Sequence, residues 1–219
     1  MKSPFLVKIC GLSTPESLEW AISAGADLVG FVHFARSPRH LSIEAAAELA
    51  KRVAGRAKTV VLTVNAEDEL LGNLVTSIVP DFVQLHGRET PERVADVRLR
   101  FGRPVIKALG IGTREDVAAA HAYAGAADLL LYDAKPPKEA SRPGGLGVTF
   151  DWSLLADTTS PFLLSGGLDP TNVGDAVRRV RPLGVDVSSG VESTPGVKDE
   201  ARVRAFVAAA RTASEEGLR

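Results

Sequence analysis

Short apolar runs alternate with longer segments of helical period along the whole chain, and this alternation predicts eight strands, each followed by a helix. The runs are FLVKI (5–9), DLVGFVHF (27–34), TVVLTV (59–64), DFVQL (81–85), PVIKAL (104–109), DLLLYD (128–133), PFLLS (161–165) and GVDVS (184–188). Each has strand length, and several are almost continuously apolar, as expected of parallel strands covered by helices. Helix starts are marked as well. Thr14-Pro15, Thr90-Pro91 and Asp169-Pro170 each set a capping oxygen before a proline, whose missing N–H costs nothing at the first helical position. Ser42 and Thr113 supply two more caps. Val173, Ala176, Val177 and Val180 follow an i, i+3, i+4, i+7 stripe, as do Leu70, Leu71, Leu74, Val75 and Ile78, and both stripes read as buried faces.

Eight βα units within 219 residues point to an α/β chain forming a single-domain (β/α)8 TIM barrel over residues 1–219, with an open doubly wound sheet as the alternative. The absence of a G-x-G-x-x-G turn after the first strand weighs against that alternative. One connection stands out, AKPPKEASRPGGLGVTF from Ala134 to Phe150, whose length in a compact domain marks a functional or mobile loop.

Composition narrows the partners. A net charge of −1, from 26 basic and 27 acidic residues, gives no electrostatic footprint for nucleic acid or an anionic membrane and favours a small-molecule partner. The single cysteine excludes an intramolecular disulfide and a cysteine-based zinc cluster, and fits a reducing compartment. The N-terminal apolar stretch is too short for a signal peptide, and no run reaches the roughly 18 apolar residues of a membrane span. A soluble, cytoplasmic protein is expected.

In barrels of this type the active site gathers at the C-terminal ends of the strands. That rule selects Cys10, the segment ARSPRH (35–40), QLHG (84–87), Asp133, Ser165-Gly166-Gly167 and Ser188-Ser189-Gly190. The last two triplets have small side chains after strands 7 and 8, where backbone N–H groups can converge on a phosphate. A phosphorylated substrate is therefore expected. Arg36 and Arg39 are both candidates to hold a substrate carboxylate through the arginine fork. Lys8 and Cys10, two apart, share one strand face, and Asp186 on strand 8 must neighbour them in a closed barrel. A Lys8–Asp186 pair is expected, with the ammonium favouring the thiolate of Cys10. Asp133 at the end of strand 6 serves as a general acid only if it keeps a proton near neutrality, which burial and a substrate anion both favour. His33, His40, His86 and His121 show no metal-ligand spacing, so no metal is expected. His86, two residues after Gln84, is placed to line the site.

With these residues in place the chain resembles the phosphoribosylanthranilate isomerases of tryptophan biosynthesis over nearly its whole length. The matching stretches are KICGL (8–12), AGADLVGFV (24–32), SPRHLS (37–42), VQLHG (83–87), VIKALG (105–110), FDWSLL (150–155), LLSGGLDPTNV (163–173) and VDVSSGVESTPGVKD (185–199). The resemblance implies a cofactor-free Amadori rearrangement of N-(5-phosphoribosyl)anthranilate to the carboxyphenylamino-deoxyribulose phosphate. It implies that Asp133 protonates the ribose ring oxygen, that Cys10 takes the proton from C2, and that Arg39 rather than Arg36 meets the anthranilate carboxylate. Three positions depart from the family's common form: His33 in place of an aromatic, Tyr132 in place of leucine, and Leu146 where a hydroxyl residue near the phosphate is usual. Two rivals stand beside this reading. The related isomerase of histidine biosynthesis carries an aspartate where this chain has Cys10, and a silent phosphate-binding barrel has no need of both Cys10 and Asp133.

Overall fold

In the computed structural model, which describes residues 5–135, 144–145, 147, 149–158 and 160–216, the eight apolar runs pair in parallel and close on themselves. The strands are β1 (Leu6–Cys10), β2 (Leu28–Val32), β3 (Lys58–Thr63), β4 (Phe82–Leu85), β5 (Val105–Ile111), β6 (Leu129–Ala134), β7 (Phe162–Leu164) and β8 (Gly184–Val187). Closure is made by β1 against β8, with Lys8 in register with Asp186. A short antiparallel hairpin of β9 (Glu192–Thr194) and β10 (Val197–Lys198) follows the last barrel strand. The chain is thus a (β/α)8 barrel, and the open-sheet alternative falls.

Alternate side chains of each strand point to the barrel axis. Leu28, Val60, Ile106, Ala108, Leu131 and Leu163 pack there as an apolar layer. Cys10, Val32 and Leu62, with Phe34 and Val64, form a second apolar patch nearer the strand ends. The opposite strand faces meet the surrounding helices in the main core.

The helices are α1 (Pro15–Ala24), α2 (Ile43–Val53), α3 (Asp68–Ile78), α4 (Pro91–Phe101), α5 (Arg114–Ala120), α6 (Val173–Val180) and α7 (Glu200–Glu216). Thr14, Ser42, Thr90 and Thr113 accept hydrogen bonds from the N–H three residues on, as their positions predicted. Two expectations fail. Between β6 and β7 the described residues hold only a 3-10 turn, Trp152–Leu155, instead of an α-helix. Asp169 does not cap α6 either. Its Oδ1 accepts from the N–H groups of Thr171 and Asn172 and from the Thr171 hydroxyl, an Asx turn that delays the helix to Val173. Leu146 and most of the 134–150 connection lie outside the described residues.

Tyr132 fills a fully buried position on the outer face of β6, its ring 4.8 Å from that of Phe162. Its hydroxyl has no hydrogen-bond partner among the described residues. A buried hydroxyl without a partner costs on the order of 1–3 kcal/mol. Tyr132→Phe is therefore expected to raise stability by up to about 1 kcal/mol in urea unfolding; a clear loss would show that the hydroxyl is satisfied in solution.

Candidate active site

The strand order decides which residues meet. A cavity open to solvent lies at the C-terminal mouth of the barrel, the place where sites of this fold gather. Cys10, Arg39, His86, Asp133, Asp186 and both small-residue triplets, Ser165 to Gly167 and Ser188 to Gly190, line it. Lys8 lies beneath, fully buried inside the barrel. Arg39 is buried in this wall, whereas Arg36 is exposed.

The thiol of Cys10 sits against β2 at Gly30, where any Cβ would stand 2.9 Å from Sγ. Below it, Lys8 Nζ donates to Asp186 Oδ1 at 2.7 Å, and the Ser165 hydroxyl donates to Asp186 Oδ2 at 3.2 Å. Burial works against the Lys8 ammonium, but the Asp186 carboxylate outweighs it and holds the lysine above its ordinary value. The thiol goes the other way from the sequence expectation. Burial pushes Cys10 up, the Lys8 ammonium pulls it down, and the Asp186 carboxylate pushes up again, so the net direction is upward and the resting group is a thiol. The Lys8 ammonium thus favours the thiolate as expected, but burial outweighs it.

Asp133 reaches the mouth from the far side, with Oδ1 accepting from the Ala134 N–H at 2.8 Å and Oδ2 lying 3.3 Å from His86 Nε2. Gln84, inside the barrel, places its Nε2 3.1 Å from His86 Nδ1. With Gln84 donating, His86 Nδ1 accepts and Nε2 carries the proton that faces Asp133.

The two small-residue loops converge as the fold requires. Gly166 has φ +87°, and a Cβ there would stand 2.4 Å from the Ala134 nitrogen; at Gly190 it would stand 1.9 Å from the Leu168 carbonyl oxygen. No larger residue fits either place, so the backbone itself forms this side of the cavity. Asn172 ties the first loop down by donating from Nδ2 to the Gly167 carbonyl.

Two charged residues behind this wall escaped the sequence reading, Glu192 and Lys198. Glu192 accepts from Arg39 Nε and Nη2, and Lys198 Nζ donates to Glu192 Oε1 at 2.7 Å. Burial disfavours the Glu192 carboxylate, but the Arg39 bonds and the Lys198 ammonium together hold it below the usual range. A signal was present: Pro195-Gly196 marks a tight turn, and a hairpin folded there brings positions 192 and 198 side by side.

Among the described residues no cluster of histidine, cysteine and carboxylate side chains could hold a metal ion, and no helix is long and apolar enough to cross a membrane.

Comparison with known proteins gives a consistent result. The sequence profile of the family described as N-(5'phosphoribosyl)anthranilate (PRA) isomerase matches residues 7–209. The N-(5'-phosphoribosyl)anthranilate isomerase of Rhodopseudomonas palustris (strain BisA53) is 56% identical over 210 residues, covering 95% of this chain and 96% of its own. The phosphoribosyl anthranilate isomerase of Thermotoga maritima superimposes with a TM-score of 0.86 at 37% identity, over 95% of this chain and 99% of that one. A phosphoribosyl anthranilate isomerase crystallised with reduced 1-(o-carboxyphenylamino)-1-deoxyribulose 5-phosphate superimposes with a TM-score of 0.83 at 34% identity, over 95% and 99%.

Proposed function

Because the chain belongs to the N-(5'-phosphoribosyl)anthranilate isomerase family, whose members are isomerases of tryptophan biosynthesis, we propose that it performs the Amadori rearrangement with Asp133 as general acid and Cys10 as general base. The observation that carries this reading is the placement of thiol and carboxyl on one cavity, one side of which is glycine-rich backbone. The substrate's phosphoryl tail sits against Ser165–Gly167 and Ser188–Gly190, its ribose spans the mouth, and its anthranilate carboxylate meets Arg39.

The chemistry follows from the charges. Asp133 gives its proton to the ribose ring oxygen, the C1–O bond breaks, and the amine lone pair forms a protonated imine. That new cation favours ionisation of the nearby thiol, which burial keeps neutral at rest, and the thiol proton leaves to solvent through the open mouth. The Cys10 thiolate then removes the proton from C2, the electron pair moves to the imine nitrogen, and the enolamine tautomerises to the ketone. The two transfers are sequential, so one group must hold a proton while the other must lose one. His86 and Gln84 orient the acid, and Lys8 and Asp186 set the floor beneath the base. No cofactor takes part. A near-neutral overall charge fits a cytoplasmic enzyme of a small metabolite.

A direct assay of the purified chain on N-(5'-phosphoribosyl)anthranilate tests the function: turnover is expected without added cofactor, and its absence in folded protein contradicts the proposal. The Arg39 role has its own test. Arg39→Ala is expected to raise KM about tenfold or more, as the loss of a charge-assisted hydrogen bond of roughly 1.5–3 kcal/mol requires, while inorganic phosphate inhibits as before. An equal loss of phosphate affinity would show that Arg39 does not meet the carboxylate.

A further inference from the structure

Glu192 takes the side-on edge of the Arg39 guanidinium with both oxygens, at 2.6 Å from Nε and 2.7 Å from Nη2. Both side chains are buried. The same carboxylate also accepts from Lys198 Nζ at 2.7 Å and from the Gly196 N–H at 3.0 Å. Lys198 donates in turn to the Ser188 carbonyl at 2.8 Å, and the Ser188 hydroxyl donates to the Cys10 carbonyl at 3.1 Å. One connected set of bonds therefore runs from the loop after β2, through the β9–β10 hairpin, to the loop after β8 and the end of β1.

The Arg39 stem has little room to move. A Cβ at Gly11 would stand 2.4 Å from Arg39 Cδ, so the side chain crosses directly over the turn after β1. Its Nη1 lies beside Gly145, where a Cβ would stand 2.7 Å away, and Gly145 itself lines the cavity. A guanidinium offers two edges to a carboxylate, the side-on Nε–Nη2 edge and the end-on Nη1–Nη2 edge. Glu192 occupies the first, which leaves the second for a ligand.

We propose that Glu192 is a positioning residue: by occupying the side-on edge of Arg39 it compels the substrate's aromatic carboxylate to bind end-on, with Lys198 fixing this clamp to the phosphate-side loop. The proposal rests on the reading of Arg39 as the carboxylate ligand. Its benefit is preorganisation. A long side chain held before substrate arrives loses little conformational freedom on binding. A released Arg39 presents either edge and must be ordered by the substrate as it binds, which weakens binding.

The test is a double-mutant cycle on KM and kcat, using Glu192→Gln, Arg39→Ala and the pair, with thermal melts on each. Glu192→Gln is expected to raise KM about tenfold with kcat within about twofold, and to change KM less than about twofold once Arg39 is already alanine. If Glu192→Gln does not fold, Glu192→Asp replaces it, because the shorter carboxylate keeps the charge but cannot span both guanidinium nitrogens. Arg39→Ala with unchanged KM overturns the carboxylate reading and this role with it. A raised KM in Arg39→Ala together with an additive Glu192 effect, or no Glu192 effect at all, overturns the positioning role alone.

Discussion

Replacing Cys10 with alanine is expected to lower kcat by about 10²–10⁴-fold, the range typical of lost acid–base catalysis, with the barrel intact. The structure makes this a clean experiment. Cys10 is the only cysteine, and removing one small buried atom group costs roughly 1 kcal/mol of stability. The variant should also lose exchange of the C2 proton with solvent deuterium, the step assigned to the thiolate. Cys10→Ser is expected to behave like alanine, because a buried hydroxyl is a far weaker base. A direct titration of the free protein adds a sign. Burial holds the thiol above its ordinary value, so thiolate absorbance should be absent at neutral pH and emerge only above the usual thiol range. Near-normal turnover in Cys10→Ala would remove the residue from the chemistry, and thiolate absorbance at neutral pH would mean that Lys8 dominates burial after all.

Asp133→Asn should lower kcat by a similar 10²–10⁴-fold. The amide keeps the shape of the carboxyl but offers one accepting oxygen in place of two, so it can accept from the Ala134 N–H or from His86 Nε2, not from both, and it has no acidic proton for the ring oxygen. The loss should sit in ring opening. A substrate analogue already open at C1 is expected to lose much less rate than the ring-closed substrate, and equal losses for both would place Asp133 in a later step or in binding. The melting temperature should change little, because the variant leaves no buried charge unpaired.

The strands were legible because burial on both faces forces continuous apolar runs, and the four threonine and serine caps because a side-chain oxygen before a helix has a local purpose. The 3-10 turn that stands among the described residues between β6 and β7 was not, since the alternation was extended there without a helical period in the sequence to support it. Asp169 misled for a related reason: one carboxylate can cap a helix or close an Asx turn, and Thr171 and Asn172 decided in favour of the turn. For the site, strand-end position brought Cys10, Asp133 and both small-residue loops to one cavity, whereas the choice of Arg39 over Arg36 came from the family resemblance. The Lys8–Asp186 pair followed from the parity of β1 and barrel closure. Its electrostatic consequence did not, because the thiol's ionisation depends on how deeply it is buried, and burial is a property of packing. Glu192 was hidden because its partner Arg39 lies far away along the chain, and Lys198 because its pairing with Glu192 depends on the turn between β9 and β10.

A crystal structure of this chain with the reduced product, 1-(o-carboxyphenylamino)-1-deoxyribulose 5-phosphate, probes the central claim most directly. Cys10 Sγ and the Asp133 carboxyl should approach the sugar chain from opposite sides within hydrogen-bond reach, the phosphate should rest on the Ser165–Gly167 and Ser188–Gly190 backbone, and the carboxylate should lie on the end-on edge of Arg39. A ligand bound in this cavity with either the thiol or the carboxyl turned away from the sugar would contradict the account.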